Sequence, residues 1–139
     1  MASLVDQIER KPAASDEELK AMVAGIGVEP PGDYLEFLRQ SNGGTGSGPD
    51  IFVILFAAKE VGTPELDYGA PEYAPGLIVI GGDGCASILG IDTRKSDRRL
   101  HEYVVLDPVW MDLDSASVQF RGKTFSDILQ HVSRYGDDE

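Results

Sequence analysis

Apolar side chains recur at helical spacing in the first part of the chain. Ser15 and Glu18 have the types and spacing of a capping box, in which each side chain satisfies the other residue's backbone amide at a helix start. The apolar positions that follow stand at i, i+3, i+4 and i+7, which predicts one buried helical face. Gly27 is predicted to end this helix. The apolar positions are Leu19, Met22, Val23 and Ile26.

Three further helices are predicted from similar patterns. Pro31 suits a helix start, and Asn42-Gly43-Gly44 is predicted to end the helix that follows it. Thr124 is the expected cap of a last helix, which Gly136 would end. A short helix is also predicted from Ser3. The apolar positions of the three helices are Tyr34, Leu35, Phe37 and Leu38; Phe125, Ile128, Leu129 and Val132; and Leu4, Val5 and Ile8.

The middle of the chain has the β-branched and aromatic runs that are typical of strands. Strands are predicted at 51–56, 77–80, 85–91 and 103–106, with a short edge strand at 118–120. The first run is apolar on both faces, which indicates a central, covered strand. Gly81-Gly82-Asp83-Gly84 has turn composition and is predicted to form a hairpin between the second and third strands.

This order of elements predicts the fold class. Helices come first, a consecutive group of strands follows, and a helix closes the chain, which is typical of an α+β protein. We therefore expect a single domain over residues 1–139, with a central, mostly antiparallel sheet and helices on one face. The length of 139 residues suits one hydrophobic core.

The net charge says most about the possible binding partners. The formal net charge is −12, which argues against binding to nucleic acid or to an anionic membrane surface and makes a basic protein the natural partner. Solubility alone is the alternative reading. The N-terminus lacks a signal-peptide pattern, and the longest apolar run, residues 51–58, is too short to span a membrane. The single cysteine, Cys85, fits a reducing compartment, so we expect a cytoplasmic protein.

Candidate catalytic and ligand motifs do not meet their requirements. Residues 43–48 are glycine-rich, but Pro49-Asp50 follows where a phosphate-binding loop needs Lys and Ser or Thr, so a flexible turn is predicted. His101 and His131 lack metal-ligand spacing. Asp112-Leu113-Asp114 lacks the later residues of a calcium loop. We therefore expect no cofactor, no metal and no enzymatic activity; a hydrolase would need a nucleophile and base, or a metal cluster.

Two other groups have plain structural interpretations. Cys85 begins an apolar strand and is expected to be a buried, unreactive thiol. Residues 94–99, Arg-Lys-Ser-Asp-Arg-Arg, lie between two predicted strands and are expected to form a solvated loop.

Three blocks of the sequence together resemble the SUKH superfamily. They are Pro31-Gly32-Asp33-Tyr34-Leu35-Glu36-Phe37-Leu38-Arg39-Gln40-Ser41-Asn42-Gly43-Gly44, then Pro75-Gly76-Leu77-Ile78-Val79-Ile80-Gly81-Gly82-Asp83-Gly84 with a strand ending at Asp92, and Thr124-Phe125-Ser126-Asp127-Ile128-Leu129. The resemblance implies an α+β domain with a mostly antiparallel sheet. It also implies a non-enzymatic protein, because the family includes regulators of fungal cell-wall assembly and bacterial immunity proteins against toxins. The matching positions look architectural: Tyr34, Phe37, Asn42, Gly43, Gly44, Gly82, Asp83 and Asp92.

The resemblance and the charge together predict an immunity protein that binds a basic toxin domain, for which a nuclease is one candidate. The alternative is a regulatory scaffold that docks on an endogenous enzyme or on a cell-wall or signalling partner. The oligomeric state stays open. The expected contacts are acidic residues in predicted loops, with one aromatic anchor: Glu65, Asp67, Glu72, Asp83, Asp112 and Asp114, with Trp110 as the anchor.

Overall fold

The computed structural model describes residues 8–46, 53–64, 66, 68–82, 87–95, 97, 100–107, 113 and 118–132. Strands and helices follow one another along the chain in an α+β arrangement. Their order is β1 (Ile8–Arg10), α1 (Asp16–Ile26), α2 (Gly32–Gln40), β2 (Gly44–Gly46), β3 (Val53–Leu55), α3 (Ala70–Tyr73), β4 (Leu77–Gly82), β5 (Ile88–Asp92), β6 (Glu102–Leu106), β7 (Val118–Gly122) and α4 (Phe125–Val132).

The strands form one antiparallel sheet whose spatial order is the order of the chain, β1 to β7. Each strand pairs with the next one, for example with Ile91 opposite Tyr103 between β5 and β6. The pairing shifts between Val79 and Gly81 in β4 and between Val105 and Leu106 in β6. The prediction of an α+β fold with an antiparallel sheet is confirmed.

The predicted helix starts are close to the observed ones. Ser15 caps α1, its hydroxyl accepts from the amide of Glu18, and the Glu18 carboxylate accepts from the amide of Ser15. Gly27 ends α1 in the left-handed conformation, with φ of 78°. Pro31 stands immediately before α2, which ends at Gln40, two residues before the predicted stop. The predicted end of the last helix, Gly136, lies outside the described residues.

Predictions for three segments in the first part of the chain were wrong. Ile8, assigned to a short helix from Ser3, lies in strand β1; residues 1–7 are outside the described part of the chain. Residues 44–46, expected to form a flexible turn, are strand β2, because they pair with β1 on one side and β3 on the other. The strand predicted at 51–56 is not covered on both faces, since Ile54 is 40% exposed.

An aromatic cluster joins α2, α4 and β6 in the core. The Phe125 ring of α4 lies 4.9 Å from Phe37, 6.0 Å from Tyr34 and 5.9 Å from Tyr103, measured between ring centroids. Asp33 at the start of α2 links the same three elements by hydrogen bonds. Its carboxylate accepts from the Tyr103 hydroxyl of β6 at 2.5 Å and from the Phe125 amide of α4 at 2.6 Å. Burial raises the pKa of the Tyr34 and Tyr103 phenols, so both rings stay neutral.

Candidate protein-binding surface

One of the seven predicted contact residues lies in the described part of the chain. Glu72 is exposed in the short helix α3. The other six lie outside the described residues, so their grouping with Glu72 stays a prediction: Glu65, Asp67, Asp83, Trp110, Asp112 and Asp114. Cys85 and the residues Asp83-Gly84 of the predicted turn are outside as well, whereas Gly81 and Gly82, also predicted in that turn, are the last residues of β4 because they pair with β5.

Helix α3 is a single anchored turn. Gly69 precedes it with φ of 81°, a left-handed conformation that suits glycine. Ala70 and Ala74 are buried at its two ends, and α3 packs against β4. The Gly69 carbonyl accepts from the amides of Glu72 and Tyr73, both at 3.0 Å. The backbone that carries Glu72 and Tyr73 is therefore held by burial and by hydrogen bonds.

Two exposed tyrosines lie close to Glu72 in the sequence. Tyr73 is 66% exposed and Tyr68 is 50% exposed, the highest values among the exposed large hydrophobic side chains of the described residues. Tyr68 also has φ of 56° and is the one non-glycine residue with positive φ in that part of the chain. A backbone outlier of this kind costs free energy and is often found at functional sites. We call Tyr68, Glu72 and Tyr73 the acidic tyrosine surface.

Sequence reasoning missed the tyrosines of this surface. The predicted contacts are acidic residues with Trp110 as the one aromatic anchor, although Tyr68 directly follows Asp67 and Tyr73 directly follows Glu72. Tyrosine is enriched where proteins bind each other, because its ring buries a large area and its hydroxyl stays polar. The sequence signal for this surface is an acidic residue directly before each of the two tyrosines, in a turn-rich segment.

The segment around the acidic tyrosine surface holds no Lys, Arg or His from Glu60 to Thr93. In a chain with a formal net charge of −12, the exposed acidic side chains of this segment, Glu72 among the described ones, give an acidic surface. Such a surface attracts a cationic protein and repels a phosphate backbone. The acidic tyrosine surface can bind a cationic protein. Its described residues include no nucleophile with an adjacent base.

We expect Glu72→Gln to lower the pKa of Tyr73. A hydrogen bond to the Glu72 carboxylate, together with its negative charge, raises the pKa of the Tyr73 phenol in the native protein. Removing the charge should return that pKa toward the ordinary value of about 10. Ring resonances of Tyr73 followed by NMR during a pH titration measure it. A Glu36→Gln control removes one charge from α2 and should leave the Tyr73 titration unchanged; an unchanged titration in Glu72→Gln would contradict the assignment.

A second polar group lies between β5, β6 and β7. Asp92 has 8% side-chain exposure and lines a surface depression of about 760 Å³. Its carboxylate accepts from Arg94 at 2.9 Å and from Arg121 at 3.0 Å, and Arg121 also contacts Glu102 at 3.3 Å and the carbonyl of Leu113. Desolvation opposes ionisation of Asp92, but the hydrogen bonds from Arg94 and Arg121 outweigh it, so its pKa lies below its usual range.

The Asp92 group stabilises the sheet, and its contribution should depend on pH. Because the pKa of Asp92 is lowered in the folded state, its stabilisation is present above the unfolded pKa of about 3.9 and is lost as pH falls through the folded pKa. We expect Asp92→Asn to reduce the free energy of unfolding by about 2 kcal/mol at neutral pH.

Urea unfolding at neutral pH and at about pH 3, below the unfolded pKa, measures this contribution. The difference between wild type and Asp92→Asn should shrink at the lower pH, and a difference that is the same at both values would refute the pairing. Glu36→Gln is the control, because its partner Arg39 lies 3.7 Å away and both side chains are at least half exposed. Exposed pairs of this kind contribute little.

The predicted helix stop Asn42-Gly43-Gly44 has a wider structural role. The Asn42 side-chain oxygen accepts from the amide of Ala58 at 2.7 Å, and its side-chain nitrogen lies 3.4 Å from the Glu18 carboxylate. The backbone amide of Asn42 donates to the Pro12 carbonyl at 3.0 Å. Asn42 therefore ties the start of β2 to α1 and to the segment that follows β3.

A comparison with protein-family models matches residues 13–131 to the SMI1 / KNR4 family (SUKH-1). The match covers most of the chain. This protein belongs to the SUKH-1 family. A comparison with curated proteins returns no match. The family match confirms that the three sequence blocks resemble the SUKH superfamily.

The SUKH-1 blocks correspond to structural positions in this protein. Tyr34 and Phe37 are buried in the aromatic cluster, and Asn42 with Gly43 and Gly44 opens β2. Gly82 ends β4 opposite Ile88, and Asp92 ends β5 between two arginines. Asp83 is outside the described residues. None of the described SUKH-1 block positions belongs to the acidic tyrosine surface, so the family match does not assign a role to that surface.

His101 is buried, and its Nε2 lies 2.8 Å from the Lys95 carbonyl oxygen, which is an architectural contact. The described residues contain no group of three or more His, Cys, Asp and Glu side chains that could hold a metal ion. In the same part of the chain, no helix has the length and apolar character required to cross a bilayer.

Proposed function

We propose that this SUKH-1 protein is a non-enzymatic immunity protein that neutralises a bacterial toxin by stoichiometric binding in the cytoplasm. The acidic tyrosine surface is its point of contact, and a basic toxin domain is its partner. The observation that carries the proposal is the coincidence of the two most exposed tyrosines of the described residues with a carboxylate, within a segment whose sequence has no Lys, Arg or His from Glu60 to Thr93.

The mechanism is occlusion of the toxin's substrate-binding surface. A nuclease toxin must be cationic where it holds phosphate, so an array of carboxylates can occupy that surface in place of the nucleic acid. The net charge of −12 steers the two proteins together and raises the association rate at low ionic strength. Exposed tyrosine rings then supply buried contact area once the two surfaces meet.

Co-expression with the product of the neighbouring gene tests this function. We expect that product to be toxic alone and harmless together with this protein, and the two to form a complex of equal stoichiometry. The association rate should fall as salt rises, because charges steer the encounter. Normal toxicity in the presence of this protein, with no complex at low salt, would overturn the proposal.

A regulatory scaffold is the second candidate function, because an exposed acidic surface would also suit a basic docking segment of an endogenous enzyme. The same co-expression experiment separates the two functions. A non-toxic neighbour that forms a stable complex, and whose own activity changes when this protein is added, would favour regulation over immunity.

A further inference from the structure

We propose that Glu72 and Tyr73 form a binding site for an arginine side chain of the basic partner. In this site a guanidinium group stacks on the Tyr73 ring while the Glu72 carboxylate accepts its hydrogen bonds. The inference deepens the proposed function and rests on it, because it names the partner group that the acidic tyrosine surface recognises.

The position of the Tyr73 ring is the first argument. A Cβ atom at Gly69 would lie 3.0 Å from Cδ2 and 3.1 Å from Cε2 of Tyr73, so one side of the ring rests against the Gly69 backbone. The ring nevertheless stays 66% exposed. An exposed ring that is already supported on one side loses little side-chain freedom when a partner group stacks on it.

The second argument is the chemistry of the neighbouring carboxylate. Glu72 directly precedes Tyr73 and both side chains are exposed, and the Glu72 carboxylate raises the pKa of the Tyr73 phenol by a hydrogen bond and by its charge. None of the ion pairs between described residues includes Glu72. The carboxylate is therefore available to a cation from outside the chain.

Arginine fits this pair better than lysine. A guanidinium is planar, so it stacks on an aromatic face and donates in a fork to a carboxylate at the same time. A lysine ammonium is a compact, strongly hydrated charge that gains less from the ring. The Glu72 carboxylate attracts either cation, but the ring distinguishes between them.

Peptide titration tests the chemistry directly. A hexa-arginine peptide and a hexa-lysine peptide are titrated separately into the full chain at low salt, with NMR of the Tyr73 ring and the Glu72 side chain. We expect the arginine peptide to bind several-fold more tightly and to shift both groups. Tyr73→Phe should retain the preference, because the ring remains, whereas Tyr73→Ala should remove it with about a five-fold loss of affinity.

Matched controls separate this site from general charge attraction. Glu72→Gln and Glu36→Gln remove the same charge, so only Glu72→Gln should reduce the arginine preference. Leu100→Ala removes an exposed apolar side chain elsewhere and should have no effect. Equal binding of the two peptides, or equal losses from both charge variants, would overturn the arginine site.

The toxin experiment distinguishes failure of the site from failure of the function. A toxin that is bound and neutralised by Tyr73→Ala and Glu72→Gln as well as by wild type would overturn the arginine site and leave the immunity function in place. The arginine preference in the peptide titration, with no toxin neutralised, would support the site and overturn the immunity function.

Discussion

Gly43→Ala is expected to lower the free energy of unfolding by about 3 kcal/mol, because two separate costs add at this position. Gly43 has φ of 83°, where an L residue is strained. A Cβ atom there would also lie 2.7 Å from the Leu55 carbonyl oxygen and 2.8 Å from the Ala57 amide nitrogen. Both neighbours are backbone atoms, so neither can move without disturbing β3 or the segment that follows it.

Urea unfolding of Gly43→Ala measures this loss, and Gly25→Ala is its matched control. Gly25 lies inside α1, and a Cβ atom there would meet no heavy atom within 4 Å. Alanine favours helix over glycine, so Gly25→Ala should stabilise the protein by about 0.5–1 kcal/mol. If both variants changed stability in the same direction, the close approach at Gly43 would be the wrong explanation.

Phe125→Ala should reduce the free energy of unfolding by about 3–4 kcal/mol, which is typical when a buried aromatic ring is removed. The ring is 5% exposed and packs against Phe37, Tyr34 and Tyr103. Its loss would leave a cavity where α2, α4 and β6 meet. Because the neighbours are themselves rings fixed by their own packing, the cavity should collapse only in part.

Phe125→Leu is the control for this prediction. Leucine keeps most of the buried apolar area, so the loss should be about 1.5 kcal/mol or less. Chemical denaturation measures the free energy of unfolding of both variants. The two values are directly comparable when that free energy depends equally on denaturant concentration in both variants. Equal losses would show that the aromatic contacts, rather than the filled volume, stabilise this junction.

Helices α1, α2 and α4 could be predicted from sequence because their signals are local, whereas the short helix α3 was not predicted. The capping box of Ser15 and Glu18 and the left-handed end at Gly27 need only a few neighbouring residues. The strands 77–80, 103–106 and 118–120 were predicted for a similar reason, since β-branched and aromatic residues mark them. Fold class followed from the order of these elements.

Strands β1 and β2 could not be predicted in the same way. Gly44–Gly46 has two glycines in three residues, a composition typical of a turn. It is a strand because Leu55 and Arg10 pair with Gly44 from opposite sides, which is a tertiary effect. The role of Asp33 was also hidden, because its partners Tyr103 and Phe125 are distant in sequence.

The candidate site was predicted only in part, for a physical reason. Negative charge identified Glu72 as a contact residue. The ability of a surface to bind a protein also depends on which aromatic rings are exposed. That property follows from packing: Tyr34 and Tyr103 are buried, whereas Tyr68 and Tyr73 are exposed. All four residues are tyrosines, so the residue type alone does not show which rings are buried and which are exposed.

The strand order has a consequence for the way the molecule acquires its structure. Since every strand pairs with its neighbour in the chain, no strand has to insert between two others, and β4 to β7 can pair by successive closures of short connections. Low sequence separation between contacts is associated with rapid folding. A newly made chain could therefore extend its sheet strand by strand in the order of its translation.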